Sequence, residues 1–316
     1  MPHTPRHSVV VPVCNEAEVL EAFHTRCSSA MQALGDDYEL LYVDDGSLDG
    51  SWEILVGLAQ ADSRVRLLRL SRNFGHQVAI SAGIESARGD TVTTLDADLQ
   101  DPPEVISDLV AAWRAGADVV CAVRQERQGE PWFKRVSASA FYRVVNLFSD
   151  IPLPAQAGDF RLLSRRAVEA LLAMPEQHRY VRGMVAWIGH ETATVGYSRE
   201  PRAAGRTKYP LSRMLGLASD GILAFSTLPL RAATWIGLGV TGSALAVGLR
   251  VLWDHLVDHR ALAWDASSLA GLILLLAGAQ FLTLGILGQY LGRIYSEVRR
   301  RPLYLVCDRR GFEDPT

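Results

Sequence analysis

Asp96-Ala97-Asp98-Leu99-Gln100 follows directly on the apolar, β-branched run Thr91-Val92-Thr93-Thr94-Leu95. Carboxylates spaced this closely at the end of a buried strand are delivered to a sheet edge. In an extended segment the side chains at i, i+2 and i+4 share a face, so Asp96, Asp98 and Gln100 are expected to converge. Three oxygen donors with coordination positions to spare suit a hard divalent ion, Mg²⁺ or Mn²⁺, that also holds substrate phosphates. The structural alternative is an acidic turn leading into a proline-started helix at Pro102-Pro103. Two other strand-like runs end in comparable residues, Pro12-Val13-Cys14-Asn15-Glu16 and Asp44-Asp45-Gly46-Ser47. Three such ends are suited to the base, ribose and metal-bridged diphosphate of a nucleotide. No Gly-rich dinucleotide fingerprint or P-loop motif is present, so hydride transfer and P-loop phosphoryl transfer lack their usual markers.

The elements that must position these residues alternate. Strands are expected at Ser8–Val13, Tyr38–Val43, Val65–Leu70, Thr91–Leu95 and Asp118–Val123, and helices at Glu16–Leu34, Ser51–Ala61, His76–Ala87 and Pro103–Ala115. Strict β/α alternation predicts an α/β fold: a doubly wound, mostly parallel sheet with helices on both faces. Ligands bind such sheets beyond the carboxyl ends of the strands, where all three acidic segments fall.

Composition sets the boundaries. The chain has 316 residues and a net charge of −3, which carries no nucleic-acid footprint. Cys14, Cys27, Cys121 and Cys307 are scattered without metal or disulfide spacing and fit a reducing, cytosolic face. The apolar run Val9–Val13 is too short for a signal-peptide core and reads as a strand. Near the C-terminus, Ala232–Leu249 and Ser267–Gly292 are long apolar segments without a charged face. About 18 to 22 helical residues cover roughly 27 to 33 Å, the thickness of a hydrocarbon core. Arginines and lysines precede the first segment and follow the second, whereas the connecting loop carries Asp254, Asp258 and Asp265. The positive-inside tendency therefore puts both termini and the N-terminal domain on the cytoplasmic face of an inner membrane. The expected organisation is a catalytic domain over 1–205, an amphipathic juxtamembrane segment over 206–230 and a first span over 231–253. An extracytoplasmic loop over 254–266, a second span over 267–292 and a basic tail over 293–316 complete it. The juxtamembrane segment lies at the headgroups or packs as helices on the globular domain.

Taken together, Val9-Val10-Val11-Pro12-Val13-Cys14-Asn15-Glu16, Val43-Asp44-Asp45-Gly46-Ser47 and Asp96-Ala97-Asp98-Leu99-Gln100-Asp101-Pro102-Pro103-Glu104 resemble the family 2 glycosyltransferases of GT-A fold. Arg72-Asn73-Phe74-Gly75-His76-Gln77, Gly158-Asp159-Phe160-Arg161-Leu162-Leu163-Ser164-Arg165, Lys208-Tyr209-Pro210 and Asp220-Gly221-Ile222 resemble the polyprenyl-phosphate branch of that family, in particular its bactoprenol glucosyltransferases. The resemblance covers nearly the whole chain.

It implies transfer of a sugar, with inversion, from a nucleotide sugar to a membrane polyprenyl phosphate such as undecaprenyl phosphate. Asp96, Asp98 and Gln100 would hold the Mg²⁺ or Mn²⁺ ion; Pro12, Asn15, Glu16, Asp44, Asp45 and Asp96 would approach the donor nucleotide. Arg124, Arg135 and Ser139 are the acceptor-phosphate candidates by analogy. Arg135 and Ser139, four apart, fall on one face of a helix; a plain solvated or headgroup-binding basic face is the alternative. Arg202, Arg206 and Lys208 flank Gly205 in a segment that would fold over the diphosphate. Asp159 matches the position of a catalytic base, although a phosphate monoester with a second pKa of about 6 scarcely needs one at neutral pH; orienting the nucleophile or pairing with Arg161 are its other possible roles. UDP-glucose is the favoured donor, with GDP-mannose and UDP-linked N-acetyl or amino sugars open, and a homotetramer is implied by analogy. Three other functions fit less well. A processive polysaccharide synthase would carry Gln-x-x-Arg-Trp, which Gln177-His178-Arg179-Tyr180-Val181-Arg182-Gly183 does not match. A nucleotidyltransferase leaves the apolar segments unexplained, and a non-catalytic nucleotide-sugar-binding protein would not need all three metal ligands.

Overall fold

Each β-branched run in the first part of the chain becomes a strand, and each amphipathic stretch between them a helix. The computed structural model describes residues 5–124, 157–199, 228–257 and 266–312. In chain order it contains β1 (His7–Val13), α1 (Leu20–Leu34), β2 (Tyr38–Asp44), α2 (Ser51–Ala61), β3 (Val65–Leu70), α3 (His76–Ser86) and β4 (Thr91–Thr94). A single 3-10 turn at Pro103–Val105 leads into α4 (Ile106–Arg114) and β5 (Val119–Arg124). Then come β6 (Ala157–Ser164), α5 (Arg165–Leu172), α6 (Val181–Ile188), β7 (Thr192–Tyr197), two long helices, α7 (Leu228–Leu256) and α8 (Ala266–Arg299), and finally β8 (Val306–Arg310). The first helix begins four residues later than its periodicity suggests. The Glu16 N–H is donated to Ser51 Oγ at 3.1 Å and the Ala17 N–H to Asp49 Oδ2 at 3.1 Å, which holds residues 16–17 in a turn instead.

The eight strands among the described residues form one sheet in the order β7-β5-β6-β4-β1-β2-β3-β8. The pairings β1–β2, β1–β4, β2–β3 and β5–β7 are parallel, while β6 and β8 run against their neighbours. The expectation of a mostly parallel sheet therefore holds, with two reversals that no local pattern marks. Strand order turns back between β1 and β4, and the crevice beyond that switch point is where an open α/β sheet receives ligands. Strand β6 enters antiparallel beside β4, so its first residues, not its last, reach the same sheet edge.

Alternation sorts the core onto two faces. Val9, Val11, Val13, Leu40 and Tyr42 pack with Leu20 and Phe23 of α1, Leu55 of α2 and Leu109 of α4. On the opposite face α3 lies close enough that a Cβ at Gly83 would stand 2.2 Å from Val10 Cγ1.

Two compact units make up the chain, Met1–Leu217 with Arg301–Thr316, and Ala218–Arg300. The last residues are thus not a separate basic tail. Leu67, Leu68 and Arg69 of β3 pair with Arg310, Arg309 and Asp308, so β8 covers what would otherwise be an open edge. In the second unit α7 and α8 pack on each other. Each contains a stretch long and apolar enough to cross a membrane, Ala232–Arg250 and Leu269–Arg299. Trp235, Leu249, Leu274, Leu275 and Phe281 point outward from them. The expected amphipathic segment lies outside the described residues, apart from the first residues of α7.

Because Val10 is fully buried and stiff at χ1, Gly83→Ala is expected to overpack the α3 face and destabilise the sheet unit by about 1–3 kcal/mol. Thermal unfolding of the full-length protein checks this: the melting temperature should fall by several degrees, and an unchanged value would mean that α3 is not seated against Val10.

Candidate active site

Strand β4 ends at Thr94, and Ala97-Asp98-Leu99-Gln100 is a turn in which Leu99 adopts φ 58°. The extended face-sharing expected of Asp96, Asp98 and Gln100 is therefore corrected: the strand ends before them, and a turn, not β alternation, sets their placement. The Gln100 N–H is donated to Asp98 Oδ1 at 3.1 Å, which fixes that turn. Asp98 is almost buried, while a third of the Asp96 side chain is exposed.

Opposite the turn stands Asp159. Because Thr94 pairs with Arg161 across β4 and β6, Asp159 falls level with Asp96, and the Thr94 hydroxyl donates to the Asp159 carbonyl. The Asp159 carboxylate is gripped by Arg182 from the start of α6 through Nε at 2.8 Å and a second guanidinium N–H at 2.9 Å. His76 Nε2 lies 3.2 Å from Asp159 Oδ2 and 3.6 Å from Asp96 Oδ1. Gln77 donates to Asp159 at 3.3 Å and accepts the Val181 N–H at 3.1 Å, tying the start of α3 to that of α6.

The electrostatics follow from this crowding. Burial would raise the Asp159 carboxyl, but the Arg182 fork, the His76 hydrogen bond and the Arg161 charge outweigh it and hold it well below the usual carboxylate range. His76 is raised despite its burial, by the hydrogen bond to Asp159 and the charge of Asp96. Although a third of its side chain reaches solvent, the enclosure of Asp96 by the site, joined by the charges of Asp159, Asp98 and Asp101, pushes its carboxyl up to about 6 against the pull of His76. An all-oxygen donor set whose carboxyls repel one another, one of them open to solvent, fits a hard cation. Among the described residues no three His, Cys, Asp or Glu side chains form a preformed cage. A bound ion would draw its remaining donors from amide, water and diphosphate oxygens.

The other strand ends are braced by their own side chains. Asp44 is completely buried, accepts the Ser47 N–H at 3.1 Å and pairs with Arg69 Nε at 3.2 Å. Asp45 accepts the N–H groups of Phe74 and Gly75 at 2.7 and 2.9 Å. These contacts make both carboxylates supports of two abutting loops. Gly46, with φ 71°, allows this: a Cβ there would lie 2.6 Å from the Arg72 carbonyl carbon. Asn15, also at positive φ (56°), receives the Leu48 N–H on Oδ1 at 2.8 Å, and its own N–H goes to Ser47 Oγ at 3.0 Å. Pro12 lies within β1, in register with Val43.

Arg124 ends β5 directly beside Tyr197 of β7. Arg135 and Ser139, and likewise Arg202, Arg206 and Lys208, lie outside the described residues. Residue patterns assigned no role to His76, Arg182, Asp101 or Tyr197. His76 and Asp101 fall inside recognisable motifs, but Arg182 and Tyr197 carry no local signal, because their partners come from distant strands.

A model of the family described as "Glycosyl transferase family 2" matches residues 8–172. The chain is 43% identical to an uncharacterized glycosyltransferase of Bacillus subtilis, YkcC, over 98% of this chain and 95% of that protein. It is 40% identical to the bactoprenol glucosyl transferase of Shigella phage SfII over 95% of this chain and 96% of the relative. Among solved structures, the glucosyl-3-phosphoglycerate synthase of Mycobacterium tuberculosis, crystallised with Mn²⁺, UDP and phosphoglyceric acid, superposes with a TM-score of 0.50. That match has 21% identity over 69% of this chain and 76% of the other and bears on the fold, which is of GT-A type. A sheet whose switch point is lined by paired acids, in a chain that matches glycosyltransferases from end to end, leaves one assignment: this protein belongs to glycosyl transferase family 2.

Proposed function

We propose that this enzyme transfers glucose from UDP-glucose to a polyprenyl phosphate, undecaprenyl phosphate in a bacterial setting, at the cytoplasmic face of the membrane. The observation that carries the reading is the full-length similarity to bactoprenol glucosyl transferases, both long apolar helices included. The membrane-spanning role of α7 and α8, with the sheet unit and both termini on the cytoplasmic side, is supported by their length and by the basic residues flanking them.

In this reading Asp96 and Asp98, with Gln100, hold a Mg²⁺ or Mn²⁺ ion. That ion, when bound, supplies positive charge across the donor diphosphate. The braced loops at Asn15–Glu16 and Asp44–Ser47 receive the nucleotide, and Arg202, Arg206 and Lys208 add cations to the diphosphate. An acceptor phosphate oxygen, met by Arg124, Arg135 and Ser139, attacks the anomeric carbon. The carbon–oxygen bond to the diphosphate breaks as the new bond forms, UDP leaves with the electron pair, and the configuration inverts. Asp159 is retained as a site residue in a changed role. A carboxylate held low by a bidentate arginine is a poor proton acceptor, so Asp159 anchors Arg182 and His76 beside the reacting centre instead of acting as a base.

Three measurements test the proposal. Incubating membranes with a panel of labelled nucleotide sugars and undecaprenyl phosphate should give a glucosyl lipid from UDP-glucose; UDP release without glycolipid would sink the acceptor assignment. Asp96→Asn and Asp98→Asn should each lower turnover by about a hundredfold or more, and chelation should abolish it until Mn²⁺ or Mg²⁺ is restored.

The third concerns pH. Because Asp159 is already ionised at all working pH values, kcat/KM for the acceptor should rise with the second ionisation of the lipid phosphate, near pH 6. Asp159→Asn should lower the whole profile without moving that midpoint. Recovery of its activity at pH 9 would restore the base role.

A further inference from the structure

Asp101 closes the acidic turn, and its side-chain partners come from the ends of two strands. Its side chain is almost fully buried. The Tyr197 hydroxyl donates to Asp101 Oδ1 at 2.5 Å, and Arg199 Nε stands 3.4 Å from the same oxygen. Arg124 donates from Nε to the Tyr197 hydroxyl at 3.3 Å, and one of its terminal nitrogens lies 3.8 Å from Asp101 Oδ2. The three residues come from three elements: the turn after β4, the last residue of β5 and the last residue of β7. Arg124 and Tyr197 are register partners in parallel strands, so the pairing is built into the sheet. The same guanidinium borders Gly158, where a Cβ would sit 3.5 Å from it, and hence borders the backbone next to Asp159.

An arginine side chain has several rotatable bonds, and fixing it costs up to about 2 kcal/mol of entropy. A relay in which Arg124 donates to a phenol that donates to a buried carboxylate meets that cost before any ligand arrives, and leaves the rest of the guanidinium fork to face an anion. We propose that Asp101 and Tyr197 are positioning residues that hold Arg124, with Arg199 on the same carboxylate, for the phosphate of the lipid acceptor. The inference rests on the acceptor reading above. It assigns these two residues to acceptor capture and not to the donor or the metal.

Tyr197→Phe isolates the brace, since the ring keeps its edge contact on Phe160, 5.7 Å between centroids, and loses only the hydroxyl. With the full-length enzyme in detergent, UDP-glucose and undecaprenyl phosphate are varied separately. The variant should raise KM for the lipid about fivefold, the worth of one ordinary hydrogen bond. KM for UDP-glucose should stay within about twofold, because only ground-state acceptor binding is touched.

A double-mutant cycle supplies the second readout. If Tyr197 acts through Arg124, Tyr197→Phe should add almost nothing in an Arg124→Ala background. Additive effects, equal shifts in both KM values, or a fall in kcat alone would each overturn the brace. Wild-type enzyme that makes no glycolipid from any polyprenyl phosphate overturns the acceptor reading and the brace with it. Wild-type transfer without the KM split overturns the brace alone.

Discussion

One buried carboxylate ties the reacting edge of the sheet together. Asp159 joins β6, the start of α3 through His76 and Gln77, and the start of α6 through Arg182, while its carbonyl accepts from Thr94 of β4. A charge so buried costs several kcal/mol unless it is paired and its lone pairs are occupied. Here the arginine fork, an imidazole and an amide share the task. The consequence is positional: with Asp159 fixed, Asp96 has a neighbour that it cannot move away from, which adds to the burial that raises its carboxyl. A cation is the partner that this geometry leaves to be supplied.

The parts of this arrangement that were legible in the sequence are those governed by local pattern. The β-branched runs at 9–13, 38–43 and 65–70 read as strands because burial on both faces demands them. The placement of acids at strand ends followed from β/α alternation alone. What was not legible depended on pairing across distance. Gly158-Asp159-Phe160-Arg161 carries no mark that it runs antiparallel beside β4, yet only that reversal sets Asp159 level with Asp96. Asp44 and Asp45 read as nucleotide-facing residues at a strand end, with a plain Asp-Asp-Gly turn as the alternative. Their burial reflects Arg69 and the Phe74–Gly75 amides arriving from β3 and the loop after it. The tail after Arg301 looked like a basic extension because a five-residue edge strand has too little pattern to outweigh its arginines.

That tail also bears on the loop after β2. Trp52 of α2 is stacked by Arg69 at 5.0 Å and by Arg310 of β8 at 5.6 Å. Arg69 is the partner of Asp44, the residue that caps the turn at Ser47. The chain thus returns, after two apolar helices, to buttress the loop at Asp44–Ser47. The fold of the sheet unit consequently requires residues from both ends of the chain.

Charge balance explains why the site is divided as it is. Asp96, Asp98, Asp101 and Asp159 are set against Arg124, Arg161, Arg182 and Arg199, with His76 beside them. Such a cluster is close to neutral before anything binds. A divalent ion and a donor diphosphate bring opposite charges and can enter it together at little electrostatic cost. The phosphate of the lipid brings up to two further negative charges with no counterion of its own. In the acceptor reading proposed above Arg124 meets it, and one guanidinium does not cancel that charge. In the same reading Arg135 adds a second cation for the acceptor, while Arg202, Arg206 and Lys208 answer the donor diphosphate.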